Sequence, residues 1–391
     1  MKIGVVTYFN IKNYGSALQA YSLKTVANGL GHDIVFLNVR EDKPAYKIAH
    51  KFHVGFVTLI KCALFKNARK THKEIRTLRQ KSESGISHES AKLFDEFLCK
   101  QLPNVNMDRA SLKKAARTEN FGAFICGSDQ IWSPLSLHLS GYKYLNFAPR
   151  NKRIAYAPSF GVAAVPDYNK AFVRKMLLGF DDISVREHQG AKIVKELISK
   201  EPPVVLDPTM LLSGAEWRTL YKAHTPRISK EKYALCYFFD EPEKETVEQI
   251  VEYSRKNNLK MLVLSSGNTQ LLSKGAELVN AGPLEFLRYV DEAECVFTNS
   301  FHGSVFSILF GRPLKVFGRS HSDTVKQTSR IDTLLENTGL QACMCCSVKD
   351  NIAPVPTDKA EDRLYSHRVH SISYIQNALD KRSHNERVFR D

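Results

Sequence analysis

Ile3-Gly4-Val5-Val6-Thr7 and Ile34-Val35-Phe36-Leu37-Asn38 are two short apolar runs that bracket a helical stretch, residues 17–30. Within it Leu18, Tyr21, Leu23, Val26 and Leu30 recur at helical spacing, and Gly31 stops it. Strand, helix, strand is a β-α-β unit, with a right-handed crossover and parallel strands. The loop inside it, Asn13-Tyr14-Gly15-Ser16, puts backbone amides at a helix start, where phosphate or carboxylate is favoured. A plain turn with an N-cap is the alternative there.

Strand patterns resume at residues 121–126, 153–157, 182–185 and 204–206, with helical spacing between most of them. The alternation predicts an α/β sheet. Residues 208–229 form the boundary to a second series. Its strands are predicted at 233–239, 260–264, 295–298 and 313–317, and its helices at 243–256, 283–290 and 304–310. The expected fold is α/β, with two doubly wound Rossmann-like domains facing a cleft where strand C-termini converge. The first spans 1–215 on the acceptor side, with a helical, strand-free insertion at about 43–118. The second spans 230–345 on the donor side. A tail, 346–391, holds a helix at 366–379 and frays beyond it.

The 391 residues are 43% hydrophobic and 25% charged. This excludes a disordered chain, a collagen and a coiled-coil rod, and allows two buried cores. Of the net charge of +15, ten charges fall between Lys43 and Lys81, where eleven Lys or Arg face one acid, Glu74. Such a local patch predicts one anionic partner surface and no nucleic acid. The apolar run 52–65 inside it is too short to span a bilayer. Flanked by Lys51, Lys66, Arg69 and Lys70, it suits a helix lying on an anionic membrane surface; a helical pair covering the first sheet is the alternative.

Eight cysteines show no repeated C-x-x-C framework, so no metal site and no disulfide scaffold is predicted. The Cys343, Cys345, Cys346 cluster has no His or acid at ligand spacing. The N-terminal apolar run is too short for a signal peptide, and no stretch is long enough for a transmembrane helix. The expected location is cytoplasmic, peripheral on the inner face of the membrane.

Three further loops carry chemistry. Gly127-Ser128-Asp129-Gln130-Ile131-Trp132 follows a strand: Asp129 either accepts sugar hydroxyls, acts as a base or caps the following turn, and Trp132 either stacks on a sugar or fills the core. In Ser184-Val185-Arg186-Glu187, Arg186 either holds a carboxylate or phosphate through paired donors, or pairs with a neighbouring acid. In Thr298-Asn299-Ser300-Phe301-His302-Gly303, His302 stands at a helix start beside hydroxyl and amide donors, and histidine exchanges protons near neutral pH. Arg312, Lys315, Arg319, Lys326 and Arg330 follow as a cationic wall or as a solvated face.

In this order the pieces resemble the polysaccharide pyruvyl transferase family. The resemblance runs from Ile3 to about Leu340 and includes Leu206-Asp207-Pro208-Thr209 and Ser329-Arg330-Ile331-Asp332-Thr333-Leu334-Leu335. It implies a fold like the two-domain B-type glycosyltransferases and phosphoenolpyruvate as donor co-substrate, with no further cofactor. The acceptor would be a sugar of a cell-surface polysaccharide or of its lipid-linked precursor, and the product a pyruvate ketal. It implies His302 as the catalytic residue, with Asn13, Ser16, Asp129, Arg186, Ser300, Arg319 and Arg330 binding substrate. Ser300 stands where the family often has Arg, two residues before the His. A B-type glycosyltransferase using a nucleotide sugar, and a non-enzymatic polyanion or membrane binder, are the competing readings.

Overall fold

Five parallel pairings order the first sheet. In the computed structural model, which describes residues 1–39, 44–71, 73, 86–118, 121–225, 231–265, 267–318, 329–344 and 355–388, the strands are β1 (Lys2–Val6), β2 (Asp33–Val39), β3 (Asn104–Met107), β4 (Ala123–Cys126), β5 (Arg153–Ala155) and β6 (Asp182–Ile183). Their order is β3-β2-β1-β4-β5-β6, all parallel. β1 is buried along four of its five residues, as expected of a strand covered on both faces. The second sheet holds β7 (Tyr233–Tyr237), β8 (Lys260–Val263), β9 (Glu277–Leu278), β10 (Cys295–Thr298) and β11 (Leu314–Val316), in the order β11-β10-β7-β8-β9 and again parallel.

In such open sheets, ligands bind beyond the strand C-termini where the strand order reverses. That point lies between β1 and β4 in the first sheet and between β7 and β10 in the second. The connections after β1, β4 and β10 lead to Ser16, Asp129 and His302.

The domains meet along α1 (Tyr14–Gly29). Tyr14 stacks on Phe94 and lies parallel to Phe286 of the second domain, ring centroids 4.6 Å apart. Its hydroxyl donates to the Ala281 carbonyl. Trp217, on the helix Gly214–Lys222, meets both Tyr21 and Phe306.

Some expectations need correction. The insertion is not free of strands, because β3 pairs along β2. Its four residues, Asn104-Val105-Asn106-Met107, lie at a sheet edge and alternate exposed with half-buried, so they lack an apolar run. Residues 204–206 make one bridge, Val185 to Val204, because Pro202 and Pro203 bring no N–H to a ladder. The final helix runs from Thr357 to Val388, well past both predicted limits.

That last helix packs on the second domain and then reaches back to the first. Ser371 Oγ accepts from the Leu206 amide, and Tyr374 donates to the Ala155 carbonyl. Arg382, buried, bonds Asp182 at 2.8 Å and donates to the carbonyl of Arg153. Arg382→Ala leaves Asp182 with Lys381 as its cationic partner and takes the side-chain donor from the Arg153 carbonyl, and is expected to cost about 1–2 kcal/mol. Urea denaturation at neutral pH measures this; an unchanged midpoint would mean that the helix end bears no load.

Candidate active site

After β4 the chain turns sharply. Gly127 has φ +108°, and a Cβ there would lie 2.1 Å from the Tyr156 carbonyl oxygen, so no other residue fits. Asp129 follows with φ +62°, an uncommon conformation for a non-glycine residue. Its Oδ2 accepts a 2.6 Å hydrogen bond from Ser16 Oγ at the start of α1.

Arg186 stands beyond β6, 3% exposed. Its Nη1 donates to Asp207 Oδ2 at 2.6 Å. Asp129 lies 3.7 Å from its Nη2 and Glu187 lies 3.9 Å from its Nε. Asp207 also accepts from Ser128 Oγ, the Thr209 amide and Thr209 Oγ1. Glu187 is held on its other side by Ser159 Oγ and the amides of Phe160 and Gly161.

The second domain closes on this cluster. Ser300 caps the helix Phe301–Phe310, accepting from the Gly303 amide at 3.2 Å. His302 sits in its first turn, 5% exposed, with Nε2 3.6 Å from Asp207 Oδ1. The Phe301 ring lies against the Arg186 guanidinium at 4.5 Å. Gly15 supplies the floor: a Cβ at that position would sit 1.8 Å from His302 Nδ1.

Burial alone would raise the Asp207 carboxyl. The Arg186 charge, the neighbouring His302 and the Thr209 hydroxyl outweigh it and hold the group well below the usual carboxylate range. Burial likewise disfavours the charged Arg186, and Asp207, Asp129 and Glu187 together overturn that and raise it. Three carboxylates thus surround one guanidinium. Arg186 Nε and Nη2 and His302 Nε2 are buried with no hydrogen-bond partner, so bonding capacity at the domain junction is left unspent.

Ser16, Asp129, Arg186 and His302 therefore come together from four distant points of the chain. Asn13 and Ser300 spend their side chains on helix caps, Asn13 accepting from the Ser16 amide at 3.1 Å. Arg330 is half-buried on the helix Ser329–Thr338, and Arg319, Lys326, Cys345 and Cys346 lie outside the described residues. Arg312 is 3.5 Å from Asp291. Trp132 is fully buried and stacks on Tyr144, so it fills the core. Among the described residues no group of three His, Cys, Asp or Glu is arranged to hold a metal. Sequence reasoning gave no role to Asp207, the hub of the cluster. Its signals were its place in Leu206-Asp207-Pro208-Thr209, a piece of the resemblance, and a carboxylate set between an apolar run and Pro208.

Two doubly wound domains clasping a His–Asp pair define a two-domain α/β fold of the B-type glycosyltransferase kind. The chain belongs to the polysaccharide pyruvyl transferase family, whose sequence model it matches over residues 13–321. Comparison with curated proteins gives no match. Among solved structures it is similar to UDP-GlcNAc 2-epimerase from Neisseria meningitidis, with TM-score 0.50, 10% identity and 100% of each chain covered. It is also similar to a putative UDP-N-acetylglucosamine 2-epimerase from Listeria monocytogenes (TM-score 0.48, 10% identity, 93% of this chain and 94% of that one). A third is the E. coli heptosyltransferase WaaC (0.39, 9%, 84% and 90%). At such identities the likeness speaks of fold alone.

Gly15→Ala tests the floor beneath the imidazole. It should push His302 off Asp207 by about 1 Å and cut turnover ~10²-fold, with the far-ultraviolet circular dichroism of the parent retained. Parent-like turnover would show that the ring needs no such seat.

Proposed function

We propose that the chain transfers a pyruvyl group from phosphoenolpyruvate onto two hydroxyls of one sugar in a cell-surface glycan, releasing phosphate and leaving a cyclic ketal. The observation that carries the reading is His302 at the domain junction, its Nε2 unbonded and a fixed carboxylate, Asp207, 3.6 Å away.

His302 gives a proton to the methylene carbon of the donor, which becomes a methyl group. The neighbouring carbon turns cationic, a charge suited to an acid-rich cluster. A sugar hydroxyl oxygen bonds to that carbon and its proton restores His302. A second hydroxyl of the same sugar then attacks, the carbon–oxygen bond to phosphate breaks, and the last proton leaves with phosphate. The donor's carboxylate and phosphate need two or more cations. Arg186 offers its unbonded Nε and Nη2, but three carboxylates already claim its charge. In this reading Arg319 and Arg330 take the larger share.

The test is incubation with phosphoenolpyruvate and lipid-linked glycans. Acceptor-dependent phosphate release and a mass gain of one pyruvate ketal are expected, and His302→Ala should lower the rate by ~10²-fold or more. Turnover with nucleotide sugars and none with phosphoenolpyruvate would replace this reading by sugar transfer.

In this reading a lipid-linked acceptor sits at a membrane surface, and the helix Pro44–Leu64 supports docking there. Phe56, Leu59, Ile60 and Leu64 form a stripe and are 64%, 71%, 40% and 72% exposed. Lys66, Arg69 and Lys70 stand exposed just beyond. The opposite side is tied down: Lys61 donates to the Leu137 carbonyl and Asn169, and His138 bonds the Val54 carbonyl. No helix among the described residues is long and apolar enough to cross a membrane. The chain should float with vesicles containing phosphatidylglycerol at low salt and release as salt rises. Equal flotation with neutral vesicles at high salt, or none with anionic ones, would remove electrostatic docking.

A further inference from the structure

A cavity of about 250 Å³ opens at the C-terminal ends of β1 and β2, apart from the His302 cluster but sharing a wall with it. Thr7 lines it, and the Thr7 hydroxyl donates to the carbonyl of Ser128, the neighbour of Asp129. We propose that this cavity binds one sugar ring of the acceptor together with an anionic substituent on it, a glycosyl phosphate or a uronate. The assignment rests on the pyruvyl-transfer reading for its biological sense, though the binding itself does not.

The lining chemistry favours that ligand. Tyr8 and Tyr142 bring aromatic surface for the C–H faces of a sugar. The Tyr142 hydroxyl is pinned by donation to the Leu37 carbonyl at 2.7 Å, which fixes its ring. Asn10 and Asn38 bring amides that donate and accept, as hydroxyl recognition requires. They are ordered as a ladder, Asn10 to Asn38 at 3.3 Å and Asn38 to Asn106 at 2.8 Å. Lys143 and Arg109 add two positive charges, and no acid is among the described residues lining the cavity. The Lys143 ammonium donates to the Tyr8 hydroxyl and lies 4.5 Å from that ring's centroid, so its position is set. Pockets for drug-sized ligands run from roughly 300 to 1,000 Å³. This one falls below that range, which suits a single ring.

Titration calorimetry on the full chain, without phosphoenolpyruvate, tests the assignment. The probes are glucose 1-phosphate, galactose 1-phosphate, N-acetylglucosamine 1-phosphate and glucuronate, against methyl glucoside, inorganic phosphate and phosphoenolpyruvate. At least one anionic sugar should bind at millimolar concentration or better. Asn38→Ala and Lys143→Gln should each weaken it at least about fivefold, as should Arg109→Gln, whose exposed site keeps the fold. His302→Ala should leave binding unchanged. No binding by any anionic sugar, or binding indifferent to all three cavity variants, would overturn the proposal. So would equal, variant-sensitive binding of inorganic phosphate or phosphoenolpyruvate, which would make the cavity a simple anion or donor site. Because no turnover is measured, a chain using another donor would still show the binding. Conversely, acceptor-dependent phosphate release from phosphoenolpyruvate with a parent-like acceptor KM in all three variants would keep the reaction and discard the cavity.

Discussion

The contact between Arg186 and Asp207 organises everything around it. At 2.6 Å and almost wholly buried, it is an ion pair that water cannot relieve. Such a pair contributes little net stability, because desolvation offsets attraction, but removing one partner leaves an uncompensated charge and is costly. Here the lone guanidinium must serve Asp129 and Glu187 as well. The loops after β4 and β6 and the turn at Pro208 are therefore fixed relative to one another by charge. The second domain is then seated on them through Phe301 against the guanidinium and His302 beside the carboxylate.

Both sheets were legible because their strands are buried on two faces and read as continuous apolar runs. Residues 295–298, predicted as a strand, are β10 to the residue. What escaped were edges. β3 and β9 lie at sheet margins, expose part of their length and lack an apolar signature. The final helix was legible over 366–379, but its extension to Val388 was not, because the anchor there, Arg382, is a polar group bonded to distant backbone, which periodicity of apolar residues does not count.

The loops of the site were legible as strand ends facing helix starts, and four of the residues named from sequence do converge. The partnership within the cluster was not. Charge pairing depends on which strands are neighbours, and Asp207 reaches Arg186 through a single β-bridge at Val185 that two prolines make hard to foresee. Gly15 shows the same limit. Its smallness matters for a ring that lies 287 positions away in the chain, His302, and not for a ligand phosphate at its own helix start.

The closing helix also bears on how the chain comes to be made. Arg382 and Tyr374 bond the Arg153 and Ala155 carbonyls of β5, in the domain that leaves the ribosome first. Domains usually fold as units in order of emergence. Here the helix that covers β5 and Asp182 follows the whole second domain in the chain, so that cover is added after the second domain is made. Until then Asp182 lacks both Lys381 and Arg382, while the Ala155 carbonyl already has the amide and hydroxyl of Ser184.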